Sequence, residues 1–168
     1  MLLIKLYFHI VAEIKKAIYK ITNRNRVSFG RGFTFRKRFN LLVDKNGNLE
    51  IGENCFFNND CSINCLNYIS IGDGSIFGEG VRIYDHNHKF SDVTRPIKEQ
   101  GYSLGNVKIG KHCWIGSNVI ILKGADIGDN CVIGAGCVIS ERIKDGSIVK
   151  LSYTNLVEPI RNEKTGKV

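Results

Sequence analysis

The residues best suited to chemistry are scarce and clustered. Two histidines, His86 and His88, follow Asp85 in the run Tyr84-Asp85-His86-Asn87-His88, and the only tryptophan is Trp114. An imidazole titrates near neutrality, so it can take a proton from a poor nucleophile such as a hydroxyl and give it back later. A preceding carboxylate such as Asp85 can orient the ring or stabilise its cation, although the same residue also suits a turn at a loop entry. A zinc lyase would instead need three histidines converging around an open water position. His86, His88 and His112 would have to supply them, and His112 lies 24 residues beyond His88. That reading is the weaker one, and no metal is expected.

The elements that position these residues follow from a repeat. An aliphatic or aromatic residue recurs every six positions, often followed by glycine. The runs are Ile51, Phe57, Ile63; then Ile71, Phe77, Ile83; then Ile109, Ile115, Ile121, Ile127, Ile133, Ile139. Phe29, Phe35 and Leu41 form a degenerate start. The fifth position of each hexad is small or β-branched: Cys55, Cys61, Ser75, Val81, Cys113, Val119, Ala125, Cys131 and Cys137. A helix of period 3.6 cannot produce a strict six, whereas one short flat strand plus a corner can. Three hexads then make one triangular coil. About five coils, spaced ~4.8 Å, would give a mainly β prism on the order of 24 Å long. Five of the six cysteines fall in the small slot and read as packing; Cys65 is the exception.

Three segments break the period. Residues 1–26 carry apolar residues at 3, 6, 7, 10, 14, 17, 18 and 21 among several lysines and arginines, which predicts a basic amphipathic helix. It would pack on the prism end or a neighbouring subunit, or lie on an anionic membrane surface. Residues 89–106 form an irregular excursion, and a long loop ejected from a rigid solenoid suggests function. Residues 147–168 are expected to form a strand and a tail after a β-helical domain at 27–146.

Charge supports this division. The net charge is +8, but residues 1–48 carry +9, residues 49–88 carry −5 and residues 89–168 carry +4. A basic excess confined to one end argues against a nucleic-acid binder that reads along its length. No secretory signal is evident, so a cytoplasmic location with reduced thiols is expected, at the inner face of a membrane if the helix binds there.

The hexads, the His-rich coil end, the ejected loop and the run from Trp114 to Ser140 together resemble the left-handed β-helix acyltransferases of the maltose, galactoside and capsule O-acetyltransferase type. The resemblance covers roughly residues 49–146. It implies left-handed coils, a homotrimer with active sites in the clefts between subunits, and acetyl-CoA as donor for direct transfer to a sugar hydroxyl. It also implies a histidine base just before the ejected loop. Counted from inward Ile83, His88 falls in that place, with His86 the alternative. Trp114 would lie beside the base. Pantetheine would run along the turns Gly116-Ser117 and Gly134-Ala135-Gly136, with Lys123, Arg142, Lys144 and Lys150 near the phosphates. The stretch Lys150 to Leu156 departs from the family's usual one and leaves the adenine end unassigned. The acceptor expected is a sugar of a capsule, lipopolysaccharide or exopolysaccharide pathway, acidic or membrane-proximal in view of the basic N-terminus. N-acetylation of an amino sugar and a non-catalytic trimeric scaffold are the alternatives.

Overall fold

The computed structural model describes residues 2–152, with side chains from residue 6 onward; the expected tail beyond residue 152 lies outside the described residues. One helix, α1 (Leu2–Asn23), precedes a parallel β-solenoid. Coil one holds β1 (Val27–Phe29), β2 (Thr34–Phe35) and β3 (Asn40–Val43). Coil two holds β4 (Asn48–Ile51), β5 (Phe56–Phe57) and β6 (Ser62–Cys65), and coil three β7 (Tyr68–Ile71), β8 (Ile76–Phe77) and β9 (Arg82–Tyr84). A hairpin of β10 (His86–His88) and β11 (Tyr102–Leu104) then leaves the prism. Coil four holds β12 (Asn106–Ile109), β13 (Trp114–Ile115) and β14 (Ile120–Ile121). Coil five holds β15 (Asp126–Ile127), β16 (Val132–Ile133) and β17 (Val138–Ile139). Two sides of a sixth coil follow, β18 (Arg142–Ile143) and β19 (Ile148–Val149). The ladder therefore runs past residue 146, and the solenoid has about six turns.

Like strands stack into three faces. Face 1 is β1-β4-β7-β12-β15-β18, face 2 is β2-β5-β8-β13-β16-β19, and face 3 is β3-β6-β9-β14-β17. The bulky hexad residues fill the interior, and Phe57 stacks on Phe77 at 3.9 Å between ring centroids and 3° between planes. All nine fifth-position side chains are buried. Four of these slots carry a thiol that donates to the carbonyl of the next coil: Cys55 to Gly72, Cys61 to Gly78, Cys113 to Gly128 and Cys131 to Lys144, each at 3.1 Å. Ser75 makes the same bond to Gly110 at 2.8 Å. The slot thus selects a small or β-branched side chain; cysteine or serine there can also cap a carbonyl of the next coil, while Val81, Val119 and Ala125 fill it by packing alone.

Coil length varies at one corner only. Inward residues step by six from face 1 to face 2 to face 3, as in Ile51, Phe57, Ile63. The return from face 3 to face 1 does not. Val27 pairs with Leu49, Leu49 with Ile69, Ile69 with Val107, Ile109 with Ile127 and Ile127 with Ile143. Successive coils therefore take 22, 20, 38, 18 and 16 residues. Every insertion falls on the 3/1 corner, and so does the His-bearing hairpin.

Helix α1 closes the prism's first coil, but not with its apolar stripe. Ala12 is buried against the aromatic layer of Phe33, Phe35 and Phe39. The buried Lys16 Nζ donates to the Phe33 carbonyl at 2.9 Å and pairs with Glu13 at 2.5 Å. Leu6, Tyr7, Ile10, Ile14, Ile18 and Ile21 face solvent. The open end of the coil accepts a small residue and an aliphatic stem with a capping ammonium, and the bulky stripe is left on the far side.

Candidate active site

The 3/1 corner is assembled around Asp85. Its side chain is fully buried. The carboxylate accepts the amide of Leu66 at 2.9 Å and that of Asn67 at 2.7 Å, while its backbone carbonyl accepts Gly105 N–H at 2.8 Å. One residue thus ties the departing strand to the coil below and to the point where the excursion returns. Leu66 and Asn67 exist because coil two is two residues longer than the regular eighteen. Asn67 Nδ2 also donates to the Gly105 carbonyl at 3.2 Å and to Asn106 Oδ1 at 2.7 Å, closing the corner from the other side.

Asp85 Oδ1 also meets His86 Nδ1 at 3.0 Å. In a neutral ring, donation to that carboxylate puts the proton on Nδ1 and leaves the Nε2 lone pair as acceptor. The His86 side chain retains 15% of its exposure, enough to reach a substrate and little enough to be fixed. His88 is placed differently. It is exposed, two residues further out on the same face of β10, with its ring 4.7 Å from Tyr102. Tyr102 also meets His86 edge-on at 5.2 Å. The carboxylate predicted to orient an imidazole therefore contacts His86, and His88 packs on a phenol.

Beyond the hairpin the excursion holds itself together. Gln100 Nε2 donates to the carbonyls of Asp92 and Arg95 at 2.8 and 2.9 Å, and Gln100 Oε1 accepts Asp92 N–H at 3.1 Å. Hydrogen bonds from the Thr94 hydroxyl and amide hold the Asp92 carboxyl below its usual range. Phe90 and Val93 project from this loop, 74% and 95% exposed. Lys123 anchors the hairpin from coil four, with Nζ donating to Ser103 Oγ at 2.5 Å. Lys123, expected from the resemblance near the phosphates, here tethers β11, the strand paired with the His-bearing β10.

The other expected donor contacts divide among the prism's edges. The turns Gly116-Ser117 and Gly134-Ala135-Gly136 stack at the 2/3 corner, with Lys150 beneath Gly134. Arg142 lies on face 1, 3.9 Å from Asp126, and Lys144 follows it at the 1/2 corner. The glycines at the 2/3 corner are required by coil stacking: a Cβ on Gly116 would sit 2.6 Å from Ala135 N. Gly136 adopts φ +76°, where side chains are strained. One chain therefore does not present all nine residues to one ligand.

Trp114 lies on face 2 and is 56% exposed. Face 2 is the face that does not border the 3/1 corner, so this tryptophan is remote from His86 within a chain. Among the described residues no three His, Cys, Asp or Glu side chains converge as metal ligands. His112 occupies a left-handed turn position at φ 55°. Cys65, outside the thiol slot, lies behind the site; burial, reinforced by the Asp85 carboxylate, pushes its thiol up to about 12.

Residues that carry no motif escaped sequence reasoning. Tyr102 sits in irregular sequence with no periodic signal. Leu66 and Asn67 act through backbone amides, and their signal was the spacing of eight between Ile63 and Ile71.

Comparison with known proteins adds family to geometry. The bacterial transferase hexapeptide (six repeats) model matches residues 106–141. A maltose O-acetyltransferase structure from Clostridium difficile is 30% identical, covering 77% of this chain and 67% of its own, with a TM-score of 0.57. The chain belongs to the hexapeptide-repeat acyltransferases. Within that family, a putative lipopolysaccharide biosynthesis O-acetyl transferase of Escherichia coli is 28% identical over 150 residues, covering 85% of this chain and 76% of that protein. A probable acetyltransferase of Mycobacterium tuberculosis is 37% identical over 109 residues, 65% of this chain; the chain spans only 36% of that protein's length. A hexapeptide-repeat acetyltransferase of Vibrio cholerae, solved in complex with acetyl coenzyme A, shares the fold at a TM-score of 0.60 and 22% identity, covering 79% of this chain and 71% of its own.

Proposed function

We propose that this protein is an acetyl-CoA-dependent O-acetyltransferase acting on a sugar hydroxyl, with His86 as general base. The observation that carries the reading is the Asp85-anchored imidazole at the root of the ejected hairpin. The hydroxyl proton passes to His86 Nε2 as the oxygen attacks the thioester carbonyl. The C–S bond then breaks, the acetyl group stays on the sugar oxygen, and the imidazolium returns its proton to the CoA thiolate. Asp85 holds the tautomer and balances the transient cation. The names of the E. coli and C. difficile relatives support a sugar acceptor, and the former supports a place in lipopolysaccharide or related surface-polysaccharide synthesis.

The active unit in this reading is a homotrimer. The outward residues of face 2, in register, are Phe56, Ile76, Trp114, Val132 and Ile148. This apolar column runs along a flat wall and needs a partner. Packing it beside the 3/1 corner of a second copy brings Trp114 to His86 across the cleft. It also sets the donor residues of different edges against one another.

Calorimetric titration of acetyl-CoA and CoA into the purified chain tests the donor, followed by an acceptor screen that reads CoA release. Micromolar donor binding that survives His86→Ala is expected, with CoA release falling by about 10²–10⁴-fold in that variant. His88→Ala should lower release less than tenfold. Absence of donor binding at millimolar ligand would overturn the reading.

A further inference from the structure

Helix α1 lies across the end of the prism. It touches face 1 through Lys20 over the Phe29 ring, the 1/2 corner through Lys16 on Phe33, and the 2/3 corner through Phe8 beneath Lys37. A helix that meets a face and two further corners of one coil caps the axis. At 100° per residue, Leu6, Tyr7, Ile10, Ile14, Ile18 and Ile21 centre on the side of the helix opposite Ala12 and Lys16. These six residues are 51–77% exposed and form a stripe about 22 Å long, directed along the prism axis away from the coils. In the trimer proposed above, contacts form on the walls of prisms set side by side and leave an axial stripe uncovered.

The surroundings of the stripe select its occupant. Residues 1–48 hold eleven Lys and Arg against two Asp and Glu. Lys20, Arg24, Arg31 and Lys37 are exposed around the capped end, and the exposed Glu13 is paired with Lys16. End-to-end association of two copies would press one cationic cap on another. An anionic lipid surface meets both features: apolar side chains enter the headgroup boundary and the rim cations meet the charge. No helix among the described residues is long and apolar enough to cross a membrane.

We propose that the outward face of α1 is a peripheral membrane-docking surface specific for anionic lipid, which seats the prism with its axis along the membrane normal. In a side-by-side trimer three such stripes point the same way, so one assembly would engage through three helices. The surface holds whatever the acceptor proves to be.

Co-sedimentation of the full chain with vesicles tests it. Binding to phosphatidylglycerol–phosphatidylcholine vesicles is expected, with at least about tenfold weaker binding to pure phosphatidylcholine and a marked loss as salt rises. Ile14→Glu with Ile18→Glu should lower binding by at least about tenfold while circular dichroism and scattering mass stay unchanged. Ile21→Glu, at the more exposed end of the stripe, gives the same reading if the double variant misfolds. Three results would overturn the proposal. One is unchanged vesicle binding by the variants. Another is salt-independent binding to neutral vesicles. The third is no vesicle binding, with a concentration-dependent rise in mass that the variants abolish, which would make a second copy the occupant. Donor titration of the same samples reads the proposed catalytic function separately.

Discussion

Faces 1 and 2 of the prism have the same backbone and opposite surfaces. Each is a six-stranded parallel sheet with the same inward repeat. The outward column of face 1 reads Ser28, Glu50, Ser70, Lys108, Asp126, Arg142. That of face 2 reads Thr34, Phe56, Ile76, Trp114, Val132, Ile148. The inward residues build the fold and would build it equally for a wall that meets water or one that meets protein. What distinguishes the walls is the residue beside each inward one, where the repeat exerts no constraint. The fold and, in the proposed trimer, the assembly are thus written in alternate positions of the same short strands.

Matched substitutions on the two walls should have unequal effects. Ile76→Asp on face 2 is expected to reduce the assembly to the 18.8 kDa chain and lower CoA release by at least about a hundredfold, because the site is then incomplete. Ser70→Asp, the same coil position on face 1, should change neither the mass by light scattering nor the rate. Equal effects would erase the distinction between the walls.

A smaller effect is expected behind face 2, where its strands turn at the 2/3 corner. Gly116→Ala drives a Cβ to 2.6 Å from Ala135 N and should cost about 1–3 kcal/mol in urea unfolding. Gly101, in the excursion, has φ +74° and nothing within 4 Å of an added Cβ. Gly101→Ala should cost only the backbone strain, about 1 kcal/mol. A loss at Gly116 no larger than at Gly101 would show that the stacked corners tolerate expansion.

The interior common to the walls titrates in alkali. Burial pushes the Cys61 thiol up to about 11 and the Cys65 thiol up to about 12, from an ordinary value of 9.0. The folded chain therefore binds these protons more tightly than the unfolded chain does. Stability is complete below about pH 8.5 and falls as pH rises through 11 to 12, by about 1.4 kcal/mol per pH unit for each thiol. Urea midpoints against pH check this, and Cys61→Ala should flatten the decline. The smallest effect belongs to the outer polar column of face 1. Arg142→Ala removes an exposed pair at 3.9 Å from Asp126 and should change stability by less than about 0.5 kcal/mol.

The prism was legible because a six-residue period has few structural explanations, and Ile51, Phe57 and Ile63 carry it without ambiguity. The buried fifth-position slot was legible for the same reason. The choice between two imidazoles was not. The resemblance, counted from Ile83, pointed to His88 with His86 as the alternative, and the contact that favours His86 in the proposed mechanism comes from Asp85, held by amides of Leu66 and Asn67 nineteen and eighteen residues earlier. Backbone amides leave no side-chain signature. The helix was legible as an element, yet its packed face was not, because Ala12 and Lys16 look less suited to burial than Ile10 and Ile14. Only the shape of the capped coil decides that choice. The resemblance also implied donor contacts at Gly116, Lys123 and Lys144 in a cleft between subunits, and the topology sets them on three different corners of one chain.

Trp114 is the only tryptophan, so its fluorescence reports directly on whether face 2 is covered in solution. Emission should be blue-shifted and shielded from acrylamide in the wild-type protein, shift red and become quenchable in Ile76→Asp, and stay unchanged in Ser70→Asp. Red, freely quenched emission from the wild-type protein, unaltered by Ile76→Asp, would contradict a site completed across that wall.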